Sequence, residues 1–280
     1  MPVVILLCHH VLPRILTFER ILREEDFAEN TVETYSYAVK DFLARHGTLN
    51  RAGLSAYKSF LIGHYKPRTV NVRILSLNKY LDAVGKPGLK LKTIKMQKES
   101  FLDQILSNEE YLRFKRLLRK EPDQRWYFVV WFLAATGARI SELVHFRVEH
   151  VVAGYIDIYS KGDRMRRLYF PEKLQKEALQ WINKEERKSG YLFLNARGGQ
   201  LTPRGISLRL KEYAAKYGID TSLVHPHAFR HLFARNFLKK ENDIALLADL
   251  LGHSSIETTR IYLQRSSLEQ GRMVDMIVDW

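Results

Sequence analysis

The stretch Trp126–Ala135 constrains the fold of this chain more than any other, because it is apolar on every side. A helix at the surface of a domain needs a polar face, so this stretch predicts a central buried helix. Gly137 ends the apolar run, and Arg139 follows at the start of the next helix with Glu142 beside it. The sequence therefore predicts a domain packed around one helix, which holds Arg139 rigidly against the core.

Most of the chain shows helical rather than strand periodicity. Two N-terminal helices are predicted to begin at Asn30, which forms a capping signal with Glu33, and at Ser55. Further along, Ser107 begins a helix with a capping box, and Thr202 begins another that has proline at its first position. These signals predict helices at both ends of the chain.

Strand-like alternation is strong only in 155–159 and 166–170, on either side of a Lys161-Gly162-Asp163 turn. This pattern predicts a β-hairpin with Lys161 at its tip. A lysine in such a turn is by itself usually a solvated one. We therefore predict a mostly α fold with a small β-hairpin, in which an N-terminal helical bundle precedes an α+β domain.

The chain is predicted to divide into four parts. Residues 1–16 form a leader whose apolar residues fit a packing strand, a helix or a frayed end. Residues 17–85 form a bundle of four or five helices, 86–104 a basic linker, and 105–280 the second domain. The linker is predicted from a proline and a glycine followed by closely spaced lysines.

Charge and cysteine content narrow the class of protein. The chain has 45 basic against 31 acidic residues, a net charge of +14, which points to a polyanionic partner. Its single cysteine, Cys8, excludes an internal disulfide framework and a thiolate metal cluster, and a reducing cytosol is the natural setting. The apolar start is too short and too broken to span a bilayer. We expect a cytoplasmic protein without a membrane partner.

Five residues can together act on a phosphodiester. His227 and Arg230 form an H-x-x-R pair, so on a helix they share a face. His253 and Tyr262 follow within the same C-terminal stretch, and Arg139 lies upstream. These side chains offer two fixed cations, two groups that titrate near neutrality and one hydroxyl.

The chemistry of this set requires no metal and no cofactor. Two guanidinium groups can bind the non-bridging oxygens of a phosphate and stabilise the charge that grows there in the transition state. A tyrosine is a weak nucleophile at its free pKa near ~10, so it needs a base or nearby cations. Histidine can supply that base or donate to a phosphate oxygen.

Each of these residues also has an ordinary structural explanation. Arg139 suits the end of an apolar helix, and Arg230 suits a salt bridge. His227 fits a structural histidine, His253 the C-terminal end of a helix, and Tyr262 the packing of a core. Singly, most of these explanations are preferable to a functional one. Jointly, they require several independent coincidences.

The order of these residues resembles the signature of the tyrosine recombinase (phage integrase) family, which is Arg, Lys, His-x-x-Arg, His or Trp, then Tyr. The flanking segments GARISEL, HAFRH and LLGHSSIETTRIY match as well. The resemblance is strong over roughly the C-terminal two thirds and covers the rest in outline, as in simple two-domain members without an arm-binding domain. The residues that carry it are Arg139, Lys161, His227, Arg230, His253 and Tyr262.

The resemblance implies a site-specific DNA recombinase that cuts and rejoins strands through a 3′-phosphotyrosyl intermediate and a Holliday junction. Tyr262 would be the nucleophile, while Arg139 and Arg230 would hold the non-bridging oxygens. Lys161 would protonate the leaving 5′ oxygen. No metal, cofactor or ATP is expected, because the covalent link conserves the energy of the broken bond.

The remaining polar residues of the set receive supporting roles. His227 is the candidate general base for Tyr262, and His253 is expected to donate to a phosphate oxygen. Glu142 either orients a neighbouring catalytic side chain or is a plain helix carboxylate; the sequence leaves both open.

Double-stranded DNA is the implied partner. The N-terminal bundle occupies the place of the family's core-binding domain, and the helix after Thr202 is a candidate for the major groove. A basic linker that crosses the duplex would add phosphate contacts. The candidate contact residues are Arg68, Arg73, Lys90, Lys92, Lys95, Arg164, Arg166, Arg204, Arg209 and Lys211.

After Tyr262 comes a tail with an apolar set of residues, Met273, Val274, Ile277 and Trp280. The tail either packs on its own domain or, as the resemblance implies, docks into a neighbouring protomer of a homo-tetramer on DNA. We favour docking, because so apolar a tail otherwise needs a groove on its own chain.

Two other functions remain as alternatives. A type IB topoisomerase uses similar residues but rejoins the same strand. A DNA-binding regulator with a silent catalytic fold would keep the binding and lose the chemistry. A metal nuclease is disfavoured, because the sequence has no clustered carboxylates or histidines at ligand spacing.

Overall fold

The computed structural model of the protein describes residues 3–96, 106–160, 164–253, 255–263 and 267–278. The chain forms two compact units, Met1–Lys98 and Glu99–Trp280. None of the helices in these described ranges is long and apolar enough to cross a membrane.

The N-terminal unit is a helical bundle. Its helices are α1 (Val3–Glu24), α2 (Glu29–His46), α3 (Arg51–His64) and α4 (Pro67–Ala83), followed by a 3-10 turn at Pro87–Leu89. Its core is built from apolar residues that the four helices turn inward, including Ile15, Phe18, Leu22, Val39, Phe42, Leu54, Tyr57, Ile74, Leu77 and Tyr80.

Three boundaries in this unit differ from those predicted. The N-terminal cap of helix α2 is Ala28, two residues before Asn30, so Asn30 lies inside the first turn instead of capping it. Helix α3 begins before Ser55, because Asn50 accepts a hydrogen bond from the backbone nitrogen of Gly53 at 2.7 Å. Helix α1 runs without a break through the predicted boundary at 16/17, and Ile15 is buried in the bundle.

The first part of the predicted linker is fastened to the bundle. The side chain of Asn78 both donates to and accepts from the backbone of Leu91, at 2.9 and 2.8 Å. Asn71 does the same with Ile94, at 3.0 and 2.8 Å. Lys58 donates to the carbonyl of Lys92 at 2.6 Å. Residues 86–96 are therefore part of the N-terminal unit, and the rest of the predicted linker lies largely outside the described residues.

The C-terminal unit combines helices with one hairpin. Its elements are α5 (Asn108–Leu118), α6 (Arg125–Thr136), α7 (Ile140–Leu143), α8 (Val148–Ala153), β1 (Tyr155–Ser160), β2 (Arg164–Tyr169), α9 (Glu172–Lys184), α10 (Pro203–Lys216), α11 (Pro226–Lys240), α12 (Ile244–Leu251), α13 (Ile256–Arg260), a 3-10 turn at Ile261–Leu263, and α14 (Ser267–Ile277).

Helix α6 is the buried centre of this unit, as its all-round apolar sequence predicts. Every residue from Trp126 to Leu133 is buried, and the helix packs against α5, α9 and α11. Aromatic rings fill much of the space around it; Phe128 stacks on Trp181 of α9 with centroids 4.7 Å apart. The prediction of a mostly helical fold with a buried central helix is confirmed.

The two strands form an antiparallel hairpin in which Tyr155 pairs with Tyr169 and Ile158 with Arg166. Ile156 and Leu168 are buried against the core, and the strand β2 extends two residues further towards the turn than predicted. The turn itself, with Lys161, lies outside the described residues.

Gly137 ends α6 in the left-handed region, at φ +63°, and a side chain there would also collide with the core. A Cβ atom would lie 2.6 Å from Phe233 Cδ1 and 2.9 Å from Leu251 Cδ2. We expect Gly137→Ala to lower the free energy of unfolding of the C-terminal unit by about 3 kcal/mol, from strain and overpacking together. Urea unfolding measures this loss.

Gly218 is the matched control for that substitution. It also has a positive φ, +64°, but nothing lies within 4 Å of its Cβ position. Gly218→Ala should therefore cost only the backbone strain, about 1 kcal/mol. Equal losses at the two glycines would show that the contact with Phe233 and Leu251 has no effect.

Candidate active site

Three arginines converge on the C-terminal end of α12. Arg166 Nε donates to the carbonyl of Leu250 at 3.1 Å, and Arg230 Nη2 donates to that of Leu251 at 2.7 Å. Arg139 Nη2 donates to the carbonyl of Gly252 at 3.2 Å. The last carbonyls of a helix lack partners within it and carry the negative end of its dipole, so cations are favourable there. The end of α12 thus gathers side chains from three distant parts of the chain.

Arg230 lies deepest in this site and is 2% exposed. Besides its bond to α12, it donates to the carbonyl of Gly137 at 2.7 Å and to His253 Nε2 at 2.9 Å. Burial, followed by the nearby charge of Arg139, lowers the pKa of Arg230 to about 10, while an interaction with Tyr262 acts in the opposite direction. Arg230 therefore stays a cation near neutral pH, with its donors directed at fixed partners.

Glu142 lies between two of the arginines. Its carboxylate accepts hydrogen bonds from the backbone nitrogen of Arg139 at 2.7 Å and from its Nη1 at 2.9 Å. The other partner is Arg166 Nη2, at 2.8 Å. Burial alone would raise the pKa of Glu142, but the charge of Arg166 and the bonds from Arg139 hold it below its ordinary value. The carboxylate fixes the two guanidinium groups relative to each other.

His253 follows α12 directly and has both ring nitrogens engaged. Its Nε2 lies 2.9 Å from Arg230 Nη2, and its Nδ1 lies 2.8 Å from Thr259 Oγ1. A guanidinium can only donate, so Nε2 must be the acceptor, and a neutral ring then carries its proton on Nδ1. His253 is thereby held in one tautomer, oriented by Arg230 on one side and by Thr259 on the other.

Tyr262 lies in the 3-10 turn after α13 and is 7% exposed. Two histidine rings contact it: His231 meets it edge-on with centroids 5.0 Å apart, and His253 lies parallel to it at 6.0 Å. The helix that leads to Tyr262 is capped by Ser255, which accepts from the backbone nitrogen of Glu257. The hydroxyl-bearing ring is therefore packed beside Arg230 and His253.

The structure thus brings together Arg139, Arg230, His253 and Tyr262 from the predicted set. His227 lies one turn before Arg230 on α11 and is exposed; among the described hydrogen bonds, none joins it to Tyr262. Desolvation of its ring, then the charges of Arg230 and Arg139, lower the pKa of His227.

Residues 103–269 match the Phage integrase family. This chain belongs to that family, the tyrosine recombinases. The tyrosine recombinase XerD of Vibrio cholerae is 30% identical over 279 residues, which cover 85% of this chain and 87% of that protein. The tyrosine recombinase XerA of Pyrococcus furiosus is 27% identical over 276 residues, 93% of this chain and 94% of that one.

Solved recombinases share the fold. A crystal structure of the XerH site-specific recombinase bound to its difH substrate, in a pre-cleavage complex, superposes with a TM-score of 0.69 at 21% identity, over 87% of this chain and 79% of that one. The family and the enzyme class predicted from the sequence are confirmed, and neither a topoisomerase nor a silent regulator is favoured.

Two of the predicted DNA contacts of this recombinase are buried and paired in the structure instead of exposed. Arg73 is buried in the N-terminal core, where it pairs with Asp41 at 2.6 Å and lies over the ring of Tyr65. Arg166 is buried beside Glu142 in the site just described. Both guanidinium groups already pair with a carboxylate, Asp41 or Glu142, and sequence alone does not distinguish such a buried arginine from an exposed one.

The other candidates fall into three groups. Lys90 is exposed but pairs with Asp82 at 2.7 Å, and Arg209 is exposed but pairs with Glu212 at 2.8 Å. The side chain of Arg164 lies outside the described residues. The remaining candidates are exposed and stay predictions: Arg68, Lys92, Lys95, Arg204 and Lys211.

The sequence pattern missed three residues of the recombinase site. Arg166 joins the site through Glu142 and α12, His231 packs on Tyr262, and Thr259 holds the ring of His253. His231 directly follows Arg230, and Thr259 lies three residues before Tyr262, so the signal for both was adjacency to the motif. Arg166 has no such signal.

Two histidines of the site make its stability sensitive to acid. Burial, then neighbouring histidines and Arg230, lowers the pKa of His231 to about 4. Burial, then Arg230 and the other arginines, lowers that of His253 to about 4. In the unfolded chain both histidines have the ordinary pKa of ~6.5. Between this pH and the lower pKa of the folded state, the unfolded chain binds more protons than the folded one. The contribution of these two neutral histidines to stability is therefore fully present above the pKa of the unfolded state. It is lost as the pH falls towards the pKa of the folded state.

We therefore expect the thermal midpoint of the C-terminal unit to drop by about 5 °C between about pH 7.5 and about pH 5.5, a range in which carboxylates stay ionised. Scanning calorimetry at both pH values measures this shift. In His231→Asn the drop should be smaller, because one of the two groups is gone. An identical midpoint at both pH values in the wild type would contradict the assignment of buried neutral histidines.

Proposed function

We propose that this chain is a site-specific DNA recombinase that cuts and rejoins DNA strands through a 3′-phosphotyrosyl intermediate. The observation that carries the proposal is the packing of Tyr262 beside Arg230 and His253, at the helix end where Arg139 also binds. A hydroxyl, two cations and an imidazole gathered at one helix end form a set that suits attack on a phosphodiester.

In the cleavage step, Tyr262 attacks the scissile phosphate, and the 5′ oxygen leaves. Arg139 and Arg230 bind the non-bridging oxygens and stabilise the charge that develops on them. The side chain of Arg139 is 35% exposed, so part of its guanidinium can meet a phosphate directly. Arg230 and Tyr262 are enclosed in the free protein, so DNA has to enter as the Tyr262 segment shifts.

Proton transfer is assigned to the two histidines of the motif. The lowered pKa of His227 keeps it neutral near pH ~7, the state in which it can accept the proton of Tyr262. His253 is proposed to donate to a phosphate oxygen. Its Nε2 accepts from Arg230 in the free protein, so donation there requires the proton to move from Nδ1 to Nε2, with Thr259 reversing its hydrogen bond.

Lys161 is proposed to protonate the leaving 5′ oxygen. In the sequence this lysine follows strand β1, which ends at Ser160, and β2 contacts α12, so the hairpin strands are joined to the helix end that forms the site. An ammonium on a flexible stem suits the delivery of a proton to an oxygen outside the protein surface.

Rejoining follows when the 5′ hydroxyl of a partner strand attacks the phosphotyrosyl bond. Two such exchanges pass through a Holliday junction in a tetramer on double-stranded DNA. The net charge of +14 supports a DNA partner. The XerH recombinase bound to its difH substrate and a lambda integrase dimer bound to a COC′ core site share the fold. A protein that works on DNA in this way is proposed to act in the cytoplasm.

The test of this function is strand exchange. Protein bound to a nicked site is offered a labelled strand of different length with a free 5′ hydroxyl, and the joined product is sized on a denaturing gel. A recombinase is expected to join the new strand. Relaxation of supercoiled plasmid without transfer to a new strand would instead support a topoisomerase.

The C-terminal helix α14 is proposed to dock on a neighbouring protomer. It exposes the apolar residues Val274, Met276 and Ile277, followed by Val278, and Met276 is 81% exposed. We expect the double substitution of Met276 and Ile277 by Asp to abolish exchange between two sites while the adduct on one site still forms. Arg272→Gln on the same helix is the control and should retain exchange. Unchanged exchange in the double variant would refute docking through this helix.

A further inference from the structure

Arg166 holds an unusual position for a charged residue on a hairpin strand. Its side chain is 7% exposed, although it belongs to a sheet of only two described strands. It donates from Nε to the carbonyl of Leu250 and from Nη2 to the carboxylate of Glu142, at 3.1 and 2.8 Å. Its Nη1 is buried without a hydrogen-bond partner among the described residues. An apolar side chain would fill such a place at lower cost if packing were its only purpose.

The backbone opposite Arg166 is shaped to admit it. Gly252 ends α12 at φ +63°, and a Cβ atom there would overlap Arg166 Nη1 and lie 2.7 Å from Cδ. The guanidinium therefore lies directly on the backbone of the residue that precedes His253. Displacement of Arg166 would therefore remove the packing against Gly252 that supports the backbone before His253.

Arg166 adds a second connection between the two halves of the site, which Arg139 also joins through its bond to the carbonyl of Gly252. On one side it binds Glu142, which in turn holds the backbone and the guanidinium of Arg139. On the other side it binds the end of α12, whose next carbonyl is held by Arg230. Both ends of this chain of contacts are groups assigned to the phosphate.

We propose that Arg166 is a positioning residue for strand cleavage, which fixes Arg139 through Glu142 and fixes His253 through Leu250 and Gly252. The proposal rests on the recombinase function stated above. Because Arg166 belongs to strand β2, it also joins the strands of the hairpin to the end of α12. It does not touch the phosphate; it sets the distance between the groups that do.

Arg167 provides a matched control within the same strand. It points to the opposite face, where it forms a two-pronged ion pair with Asp157 at 2.7 and 2.9 Å and lies over the ring of Tyr155 at 3.8 Å. All of these contacts stay within the hairpin. Substitution of Arg167 therefore measures the effect of losing an arginine from strand β2 without losing any contact to the site.

The experiment compares Arg166→Gln, Arg166→Lys and Arg167→Gln on a nicked DNA site that traps the covalent adduct. Single-turnover adduct rate, DNA dissociation constant and thermal midpoint are measured, with the rates taken well below each midpoint. We expect Arg166→Gln to form the adduct about 100-fold more slowly, with DNA affinity within about 3-fold of wild type, because small misplacement of reacting groups has this effect. Arg166→Lys should also be at least about 10-fold slow, since an ammonium cannot reproduce the planar fork.

A coupling measurement separates positioning from general loosening. If Arg166 acts on Arg139 through Glu142, the effects of Arg166→Gln and Glu142→Gln on the adduct rate should not add in the double variant. Arg167→Gln should cleave within about 3-fold of wild type and add fully to Glu142→Gln.

Three results would overturn the proposal. Wild-type rates in Arg166→Gln would show that the contacts are dispensable. A loss of DNA affinity as large as the loss of rate would make Arg166 a DNA contact. An equal loss in Arg167→Gln would reduce the effect to strand packing. Failure of the recombinase function itself is distinct, since the wild-type protein would then form no adduct.

Discussion

Arg230→Lys is expected to slow formation of the covalent protein–DNA adduct by about 1,000-fold, because an oriented donor to the developing charge contributes about that much. Arg230 spreads its donors over the carbonyls of Gly137 and Leu251 and the ring of His253. A lysine keeps the charge but has no planar fork, so it cannot serve these diverging partners and a phosphate oxygen together. Single-turnover cleavage of a nicked site measures the rate.

The same substitution should lower the free energy of unfolding by about 2 kcal/mol, since it leaves a buried carbonyl without its donor. Arg260→Lys is the control: Arg260 is on the approach to Tyr262, exposed, and paired with Glu257 at 3.0 Å. It should cleave at nearly the wild-type rate. Equal rates in Arg230→Lys and wild type would contradict the role of the guanidinium at the phosphate.

Glu142→Gln is expected to destabilise the C-terminal unit by about 3 kcal/mol and to slow cleavage by about 100-fold. The carboxylate neutralises two guanidinium groups, those of Arg139 and Arg166, within 2.9 Å. An amide is nearly the same size but removes the negative charge, which leaves two like charges beside each other in a buried place. Urea unfolding and the adduct rate measure the two losses.

Glu212→Gln is the control for the loss of an ion pair as such. Glu212 pairs with Arg209 at 2.8 Å on the surface of α10, where solvent screens the interaction. Its replacement should change stability by less than about 0.5 kcal/mol. If Glu142→Gln changed the free energy of unfolding as little as Glu212→Gln does, Glu142 would be an ordinary helix carboxylate and would not support Arg139.

The central helix and the grouping of the C-terminal motif residues were predictable, because each depends on local sequence. Trp126–Ala135 has no polar face, so burial was its only stable solution. The hairpin followed from alternation on either side of a turn, and the capping box at Ser107 is present as predicted. The motif residues of the C-terminal stretch are close in sequence, so their meeting around one helix end required little long-range folding.

The burial of individual arginines could not be predicted, because it depends on packing between distant parts of the chain. Arg73 and Arg166 look like solvated charges in the sequence, but Asp41 and Glu142, which lie 32 and 24 residues away, draw them inward. Helix α3 begins at Arg51 because Asn50 turns its side chain to cap it, a choice that Ser55 also offered locally. Such partners become visible only when distant segments are placed together.

The tautomer of His253 was equally hidden from the sequence. It follows from two contacts, Arg230 at Nε2 and Thr259 at Nδ1, and the motif contains only the first of these partners. The sequence predicted a histidine that donates to a phosphate. The structure shows one that accepts from Arg230 in the free protein and must exchange its proton before it donates.

The most direct test of the catalytic assignment is to map the covalent bond. Wild-type protein and Tyr262→Phe are incubated with nicked DNA in EDTA, denatured and digested, and the DNA-linked peptide is identified by mass spectrometry. Tyr262 packs beside Arg230 and His253, so the wild type is expected to carry DNA on Tyr262 alone, and Tyr262→Phe is expected to carry none. An adduct that persists in Tyr262→Phe, or that maps to another residue, would contradict the assignment of Tyr262 as the nucleophile.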